Sequence, residues 1–217
     1  MLKKIKKFIL DIFFPSFCAG CKKEGSFLCK NCKYKIEIFK TPSHFPKKAK
    51  IKKFYCAAEY KNETLKKLIH DFKYKHIKEI QNELSDIIIK HLKLVNFTPS
   101  ENQILVPVPL HKKRFKKRGF NQSELLAEKI GRHFNIPVKT KLIKRKKDTK
   151  HQTLQEKKEK RKENLKDAFV LISKEKITKK EIVLVDDVIT SGATLKECAK
   201  TISRASPQNI SAIVVAK

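Results

Sequence analysis

The sequence contains no long apolar run. No stretch reaches the roughly 18–20 consecutive apolar residues that a membrane-spanning helix needs, so the sequence predicts no transmembrane segment. The amino-terminal stretch MLKKIKKFILDIFFPSF (1–17) is basic and apolar, as a signal peptide is. However, its apolar core is short, contains Asp11 and is followed by no small-residue cleavage site. Without an export signal, we expect a cytoplasmic protein.

The apolar positions within residues 2–13 fall on one face of a helix. We interpret this segment as a short helix that docks on its own domain. The alternative is that the helix binds the cytoplasmic face of the inner membrane, where its basic residues would meet anionic lipid.

Acidic residues are scarce. The chain of 217 residues has 22 Asp and Glu against 52 Lys and Arg, which gives a formal net charge of +30. Such an excess attracts polyanions, namely nucleic acid, anionic lipid or phosphorylated small molecules. The alternative is a solvated lysine-rich surface with no such role, since most of the cations are Lys rather than bidentate Arg.

Cysteines are also few, and four of the six lie in one cluster, CAGCKKEGSFLCKNC (18–32). Each C-x2-C pair aims two thiolates at one point, and four thiolates complete the tetrahedral site that Zn²⁺ favours. Because no ligand position is left open, we predict structural zinc. The alternatives are disulfides, free thiols or an iron–sulfur cluster. The predicted zinc ligands are Cys18, Cys21, Cys29 and Cys32.

Apolar runs alternate with amphipathic segments in the rest of the chain. The predicted strands are 54–60, 103–110, 168–172, 181–187 and 210–217. The predicted helices are 65–72, 77–92, 121–134 and 194–205. This alternation indicates an α/β fold, with a mostly parallel sheet and helices on both faces. The basic, proline-containing segment 40–53 is interpreted as a linker. We therefore expect a first domain at 1–50, with the amino-terminal helix and the cysteine module, and a second at 51–217.

Two adjacent aspartates end one predicted strand, in VLVDDVITSGATL (183–195). Ligands of such sheets bind at the carboxyl ends of the strands. The loop after Asp186 and Asp187 leads into a helix N-terminus, where backbone N–H groups and the helix dipole attract phosphate. Carboxylates also contact ribose hydroxyls, directly or through Mg²⁺. The predicted phosphosugar site comprises the two aspartates with Val188, Ile189, Thr190, Ser191, Gly192, Ala193 and Thr194. The alternative is a Rossmann-like phosphate loop for another nucleotide.

The stretch 183–195 resembles the signature with which type I phosphoribosyltransferases bind phosphoribosyl pyrophosphate (PRPP). Together with the cysteine cluster and RGFNQ (118–122), it makes nearly the whole chain similar to the ComF-type competence proteins, which look like phosphoribosyltransferases with an amino-terminal zinc finger. Thr153 stands where that family often has glycine before Leu154. Other positions that follow the family pattern are Thr149, Gln152, Leu154, Arg161, Asn164, Ala168 and Phe169.

The resemblance implies a phosphoribosyltransferase-type domain that binds PRPP with Mg²⁺ and acts in DNA uptake during natural transformation. It implies that Asp186 and Asp187 contact the metal and the substrate. Its implied macromolecular partners are single-stranded DNA and a DNA-uptake helicase or a recombination-loading protein.

The resemblance also implies further site residues. The loop that binds pyrophosphate would be 108–118, and the alternative is a solvated basic loop. A hood loop at 145–160 would close over the substrate. The candidates for phosphate contacts are Lys112, Arg114 and Arg118. The hood residues are Thr149, Gln152 and, just beyond, Arg161. The catalytic candidates are Asp186, Asp187 and Lys147.

The basic stretches predict salt-sensitive binding to a phosphate backbone without sequence preference. The candidate DNA contacts are Lys113, Arg114, Lys116, Lys117, Arg118, Lys144, Arg145, Lys146 and Lys147. Two alternatives to a DNA-uptake factor stay open. One is a salvage enzyme that transfers ribose 5-phosphate to a base, although we find no base-recognition hood near the carboxyl-terminal strand 210–217. The other is a non-enzymatic adaptor that senses PRPP.

Overall fold

A four-stranded parallel sheet lies at the centre of the computed structural model, which describes residues 15–46, 49–147, 167–173 and 177–217. Its strand order is β1-β6-β5-β2, and a separate two-stranded antiparallel sheet pairs β3 with β4. The strands are β1 Lys53–Ala58, β2 Gln103–Pro107, β3 Ile143–Arg145, β4 Phe169–Leu171, β5 Glu181–Val188 and β6 Asn209–Ala216. The helices are α1 Lys30–Tyr34, α2 Glu63–Tyr74, α3 Gln81–Leu94, α4 Lys112–Arg118, α5 Gln122–Phe134 and α6 Ala193–Ser203.

Both faces of the parallel sheet are covered, as predicted. Successive residues of a strand point to opposite faces. Accordingly, Val183 and Val185 pack in a cluster with apolar residues of α2, α3 and α5. Ile182 and Leu184 pack in a second cluster with α6 and the two-stranded sheet. The predicted α/β class is therefore confirmed. None of the helices in the described part of the chain combines the length and the apolar character that a membrane crossing requires.

Side-chain caps fix the helices that reach the carboxyl ends of the strands. The Asn62 side chain accepts a hydrogen bond from the Leu65 N–H at the start of α2, at 3.0 Å. The Asn121 side chain accepts one from the Ser123 N–H at the start of α5, at 3.2 Å. Such caps satisfy amide groups that lack an intrahelical partner. They set where each helix begins beside the sheet.

Three local predictions were wrong. The helix expected from residue 77 begins only at Gln81, after a 3₁₀ turn at Lys78–Ile80. The segment 108–118, expected to be a loop, contains helix α4, which ends at Gly119 in the left-handed region (φ 73°). Strand β4 lies outside the parallel sheet, where it pairs with β3, a strand that the sequence did not predict.

Flanking segments cover both outer strands of the sheet. Residues 39–43 run beside β1, with the Phe39 N–H donating to Ala57 O at 2.9 Å and the Ser43 N–H donating to Phe54 O at 3.1 Å. His91 Nδ1 donates to Phe39 O at 2.7 Å from within the core. On the other side, residues 137–139 exchange backbone hydrogen bonds with Leu105 of β2.

The cysteine module shares a core with the α/β unit. Leu28, Cys32 and Ile36 are buried in the same apolar cluster as Leu65 of α2 and Ile87 of α3. Since the two expected domains bury apolar surface against each other, we expect the folding of the module and of the sheet to be linked.

Candidate functional site

A cavity of about 250 Å³ lies where β2 and β5 end, beside the starts of α5 and α6 and the end of α2. It brings together most of the residues that the sequence assigned to PRPP. The predicted residues that line it are Arg114, Arg118, Asp186, Asp187, Val188, Ile189, Thr190, Ser191, Gly192, Ala193 and Thr194. Further lining residues are Tyr60, His70, Lys73, Tyr74, Gln122, Ser123 and Arg145.

Asp187 is held by a lysine of α2. Lys73 Nζ lies 2.7 Å from Asp187 Oδ1, and the two side chains are only 18% and 11% exposed. The Val188 N–H donates to the same oxygen at 2.6 Å. An ammonium group and an amide thus stabilise the negative charge of this carboxylate.

Asp186 is held by the first turn of α5. Ser123 Oγ donates to Asp186 Oδ1 at 2.9 Å, and the Asp187 N–H donates to the same oxygen at 3.0 Å. Burial and the charge of Asp187 raise the pKa of Asp186 to about 7, against the opposing effects of Lys73 and Ser123. The Asp186 carboxyl is therefore poised to gain or lose a proton near neutral pH.

All these contacts use the Oδ1 atoms. Two carboxylates fixed in this way are acceptors suited to sugar hydroxyls and ligands suited to Mg²⁺, which prefers oxygen. The adjacent aspartates therefore act as two acceptors held by different helices.

The loop after β5 ends in a helix N-terminus without a side-chain cap. Gly192 is the N-cap of α6, with φ 69°, and within the described part of the chain no side chain caps the amides of the first turn. A Cβ on Gly192 would lie 3.1 Å from Phe45 Cζ, so only glycine fits here without a shift. The first-turn N–H groups and the helix dipole make this turn suitable for a phosphate group.

Arginines supply positive charge at the cavity. Arg118 is only 8% exposed. Its Nη1 donates to Gln122 Oε1 at 3.1 Å, and its guanidinium lies 5.3 Å from the centre of the Tyr74 ring. Arg145, which the sequence assigned to DNA, is buried in the cavity wall, with its guanidinium 5.5 Å from the Phe169 ring. The packing fixes both guanidinium groups in place.

The remaining predicted residues lie elsewhere. The exposed lysines outside the cavity wall are Lys112, Lys113, Lys116 and Lys117 on α4, Lys144 on β3, and Lys146 and Lys147 after β3. Arg145 Nε donates to the backbone carbonyl of Lys147 at 3.2 Å. The hood residues Thr149, Gln152 and Arg161 lie outside the described residues.

Sequence reasoning missed Lys73, Ser123 and the cavity position of Arg145. One signal was present for Lys73, which follows Leu65 and Ile69 at intervals of four and so continues the buried stripe of its helix. A cation at such a position needs a buried partner. Nothing in the sequence marks Ser123, and β3 is too short for its alternation to be recognised.

The four cysteines form a second site. Their Sγ atoms all lie within 4.8 Å of one another, and Cys21 Sγ is 3.6 Å from Cys29 Sγ. A tetrahedral Zn²⁺ with Zn–S bonds of about 2.3 Å needs sulfur atoms at about this separation. A Cβ on Gly20 would meet Cys32 Sγ at 2.6 Å, so the glycine permits the convergence. The residues fit structural zinc, and the predicted four-cysteine cluster is confirmed.

The thiol pKa values differ within this site. Burial raises the pKa of Cys18, but hydrogen bonds from backbone N–H groups, that of Cys29 first, outweigh it and bring the pKa to about 6. Burial and the neighbouring thiols raise the pKa of Cys32 to about 12. Four adjacent thiols cannot all ionise without a positive charge among them, which a bound metal provides.

The chain is similar to known proteins along most of its length. A family model for the phosphoribosyl transferase domain matches residues 117–217. Competence protein F of Haemophilus influenzae is 29% identical over 221 residues, which cover 91% of this chain and 95% of that protein. DNA utilization protein YhgH of Escherichia coli is 30% identical over 198 residues, which cover 87% and 83%. Hypoxanthine phosphoribosyltransferase from Staphylococcus aureus is 12% identical over 68% of this chain and 69% of that one, with a TM-score of 0.38, too low to add to the assignment.

Proposed function

This chain belongs to the family of ComF-type competence proteins, and we propose on that premise that it binds PRPP with Mg²⁺ in the cavity at the ends of β2 and β5 and binds single-stranded DNA during DNA uptake. A competence role is what the names of its relatives support. The observation that carries the ligand proposal is the presence of the acidic pair and an uncapped helix N-terminus in one cavity.

Each part of PRPP has a matching group in the cavity. The N-terminus of α6 receives the 5-phosphate, because its amide groups and dipole attract an anion. Asp186 and Asp187 accept the hydroxyls of the ribose. Arg114 and Arg118 face the pyrophosphate, which guanidinium groups bind in a bidentate manner. Asp186 and Asp187 would also hold Mg²⁺, which would supply positive charge that offsets the charge of the pyrophosphate.

Helix α4 is the proposed contact for single-stranded DNA. Its lysines at 112, 113, 116 and 117 are exposed, and Phe115 is 48% exposed between them. Exposed lysines follow a phosphate backbone, and an exposed aromatic ring offers a stacking face for a base. Arg114 of the same helix lines the cavity, so DNA on α4 would lie next to bound PRPP.

Calorimetry tests the PRPP site. Wild-type protein is titrated with PRPP in the presence of Mg²⁺, beside the Asp186→Asn, Asp187→Asn double variant and the Asp167→Asn variant, which changes an aspartate that is 56% exposed and outside the cavity. We expect the double variant to lose binding and the control to keep it. Equal binding by the double variant, or none by the wild type, would refute the proposed site.

Fluorescence anisotropy with a labelled thymidine oligonucleotide tests the DNA surface. Reversing the charges of Lys113 and Lys117 should weaken DNA binding and reduce the steepness of the slope of log affinity against log salt concentration. The reason is that fewer phosphate contacts release fewer counterions on binding. A slope near zero in the wild type would exclude backbone binding.

Phosphoribosyl transfer to a base is the second candidate function. A cleft of about 620 Å³ adjoins the cavity and shares Tyr60, Ile189 and Thr190 with it. His44 and Lys217 also line this cleft, and an acceptor in it would lie beside bound PRPP. Pyrophosphate release on addition of a common nucleobase would favour transfer, and no release with any of them would exclude base salvage.

A further inference from the structure

A second groove, of about 790 Å³, runs between α3 and α5 and shares no lining residue with the cavity. We call it the α3–α5 groove. Asp86, Lys90 and Lys93 of α3 line it, together with Lys129 and Arg132 of α5. Lys33 of the cysteine module also contributes.

The charge of this groove is one-sided. Five Lys and Arg side chains line it against the single carboxylate of Asp86. That carboxylate lies 3.3 Å from Lys33 Nζ and 3.0 Å from Lys129 Nζ. Burial opposes ionisation of Asp86, but the two lysines outweigh it and lower the pKa of Asp86 below its ordinary value. Asp86 therefore neutralises charge on Lys33 and Lys129 and does not balance the other cations of the groove.

Three cations stay available to a ligand. Lys90, Lys93 and Arg132 are exposed and form no ion pair with the described residues. Their charges lie on two adjacent helices, so an anionic ligand in the groove would meet positive charge from both sides.

The floor of the groove is aliphatic. Ile89 and Leu94 line it, and Leu94 is 42% exposed. The methylene groups of Lys90 and Lys93 extend this apolar surface. None of the described residues that line the groove is Phe, Tyr or Trp. His133 is the one aromatic ring among the described residues that line the groove, so the groove offers little of the stacking surface that single-stranded bases use.

A groove between two helices, with an aliphatic floor and a basic rim, matches the way in which amphipathic helices are bound. The stretch from Asn82 to Leu94 is about 18 Å long at about 1.5 Å per residue, which accommodates roughly three helical turns. We propose that the α3–α5 groove binds an acidic amphipathic helix of a partner protein, with its apolar face on Leu94 and its carboxylates toward Lys90, Lys93 and Arg132.

The test uses the full chain and a labelled synthetic peptide of about four helical turns, with Leu on one face and Glu elsewhere. A second peptide has the same composition in scrambled order. The groove variant is Lys90→Glu, Arg132→Glu. The matched control is Lys52→Glu, Lys179→Glu, which changes the net charge equally at two exposed lysines outside the groove. Thermal unfolding checks that each variant is folded.

We expect the groove variant to bind the amphipathic peptide about tenfold or more weakly than the wild type does. The control variant should lose less than about threefold in affinity for the same peptide. Leu94→Ser should lower the affinity for the amphipathic peptide and leave the affinity for the scrambled peptide unchanged. Equal losses in the two charge variants, or equal affinity of the wild type for both peptides, would overturn the proposal in favour of general charge attraction. If the groove variant lost binding to a thymidine oligonucleotide but kept binding to the peptide, the groove would be a nucleic-acid surface. That result would also overturn the proposal.

Discussion

Replacing Lys73 with methionine would remove the ammonium group beside Asp187 and keep an unbranched side chain. The Nζ–Oδ1 distance is 2.7 Å and the side chains are 18% and 11% exposed, so solvent screens the pair weakly. Removing one partner of a buried ion pair costs about 3–5 kcal/mol, because the other charge stays without compensation. This pair borders an open cavity, so we expect the free energy of unfolding to fall by roughly 3 kcal/mol.

The same substitution acts on Asp186. Lys73 lowers the pKa of this carboxyl, which burial and Asp187 raise to about 7. Without Lys73 the pKa rises further. The variant should therefore bind PRPP with Mg²⁺ less tightly at neutral pH and recover part of the affinity at about pH 9, where the carboxyl is ionised again.

A double-mutant cycle measures the coupling energy between Lys73 and Asp187. Urea unfolding is compared for the wild type, Lys73→Met, Asp187→Asn and the double variant. The double variant leaves neither charge uncompensated, so its loss should be smaller than the sum of the two single losses by about 1–3 kcal/mol. Lys196→Met, at an exposed lysine of α6, is the control and should change the unfolding free energy by less than about 0.5 kcal/mol. Additive losses would refute the reasoning.

Three further predictions follow from the site and the cysteine module. Folding raises the pKa of Asp186 from its ordinary 3.8 to about 7, so this carboxyl should lower the free energy of unfolding progressively as the pH rises between these values. Asp186→Asn should therefore flatten the dependence of urea unfolding on pH in this range, and an unchanged dependence would contradict the assignment. Gly192→Ala should destabilise more than Gly119→Ala, because both glycines have positive φ but only the first would place a Cβ beside Phe45; equal losses in thermal unfolding would count against the contact. Removing zinc with a chelator should lower the unfolding temperature of the whole chain, because the cysteine module shares its core with the sheet; a separate early transition with an unchanged main transition would contradict this.

The sequence predicted those elements whose pattern is carried within the element itself. Four strands are apolar runs that are buried on both faces of the sheet, namely β1, β2, β5 and β6. Helix α5 has a clear apolar stripe. Helix α4 has no such stripe, since KKRFKKR is almost entirely basic. It is defined instead by its ends, namely the His111 side chain that accepts from the Lys113 N–H and the left-handed Gly119.

The candidate site divides in the same way. Asp186 and the loop that follows it could be predicted because strand, carboxylates and helix start are contiguous in the chain. Lys73, Ser123 and Arg145 reach the cavity from three other elements. Their roles depend on how α2, α5 and β3 pack around the end of β5, which local sequence patterns do not encode.

The segment at 39–43 has a consequence for how this protein behaves among copies of itself. An outer strand with free N–H and C=O groups is a template for pairing with another chain. Here the Phe39 and Ser43 amides bond to β1, and His91 ties the segment to the core. Displacing this segment would open the β1 edge to intermolecular strand addition, so we expect residues 39–43 to protect the protein from self-association.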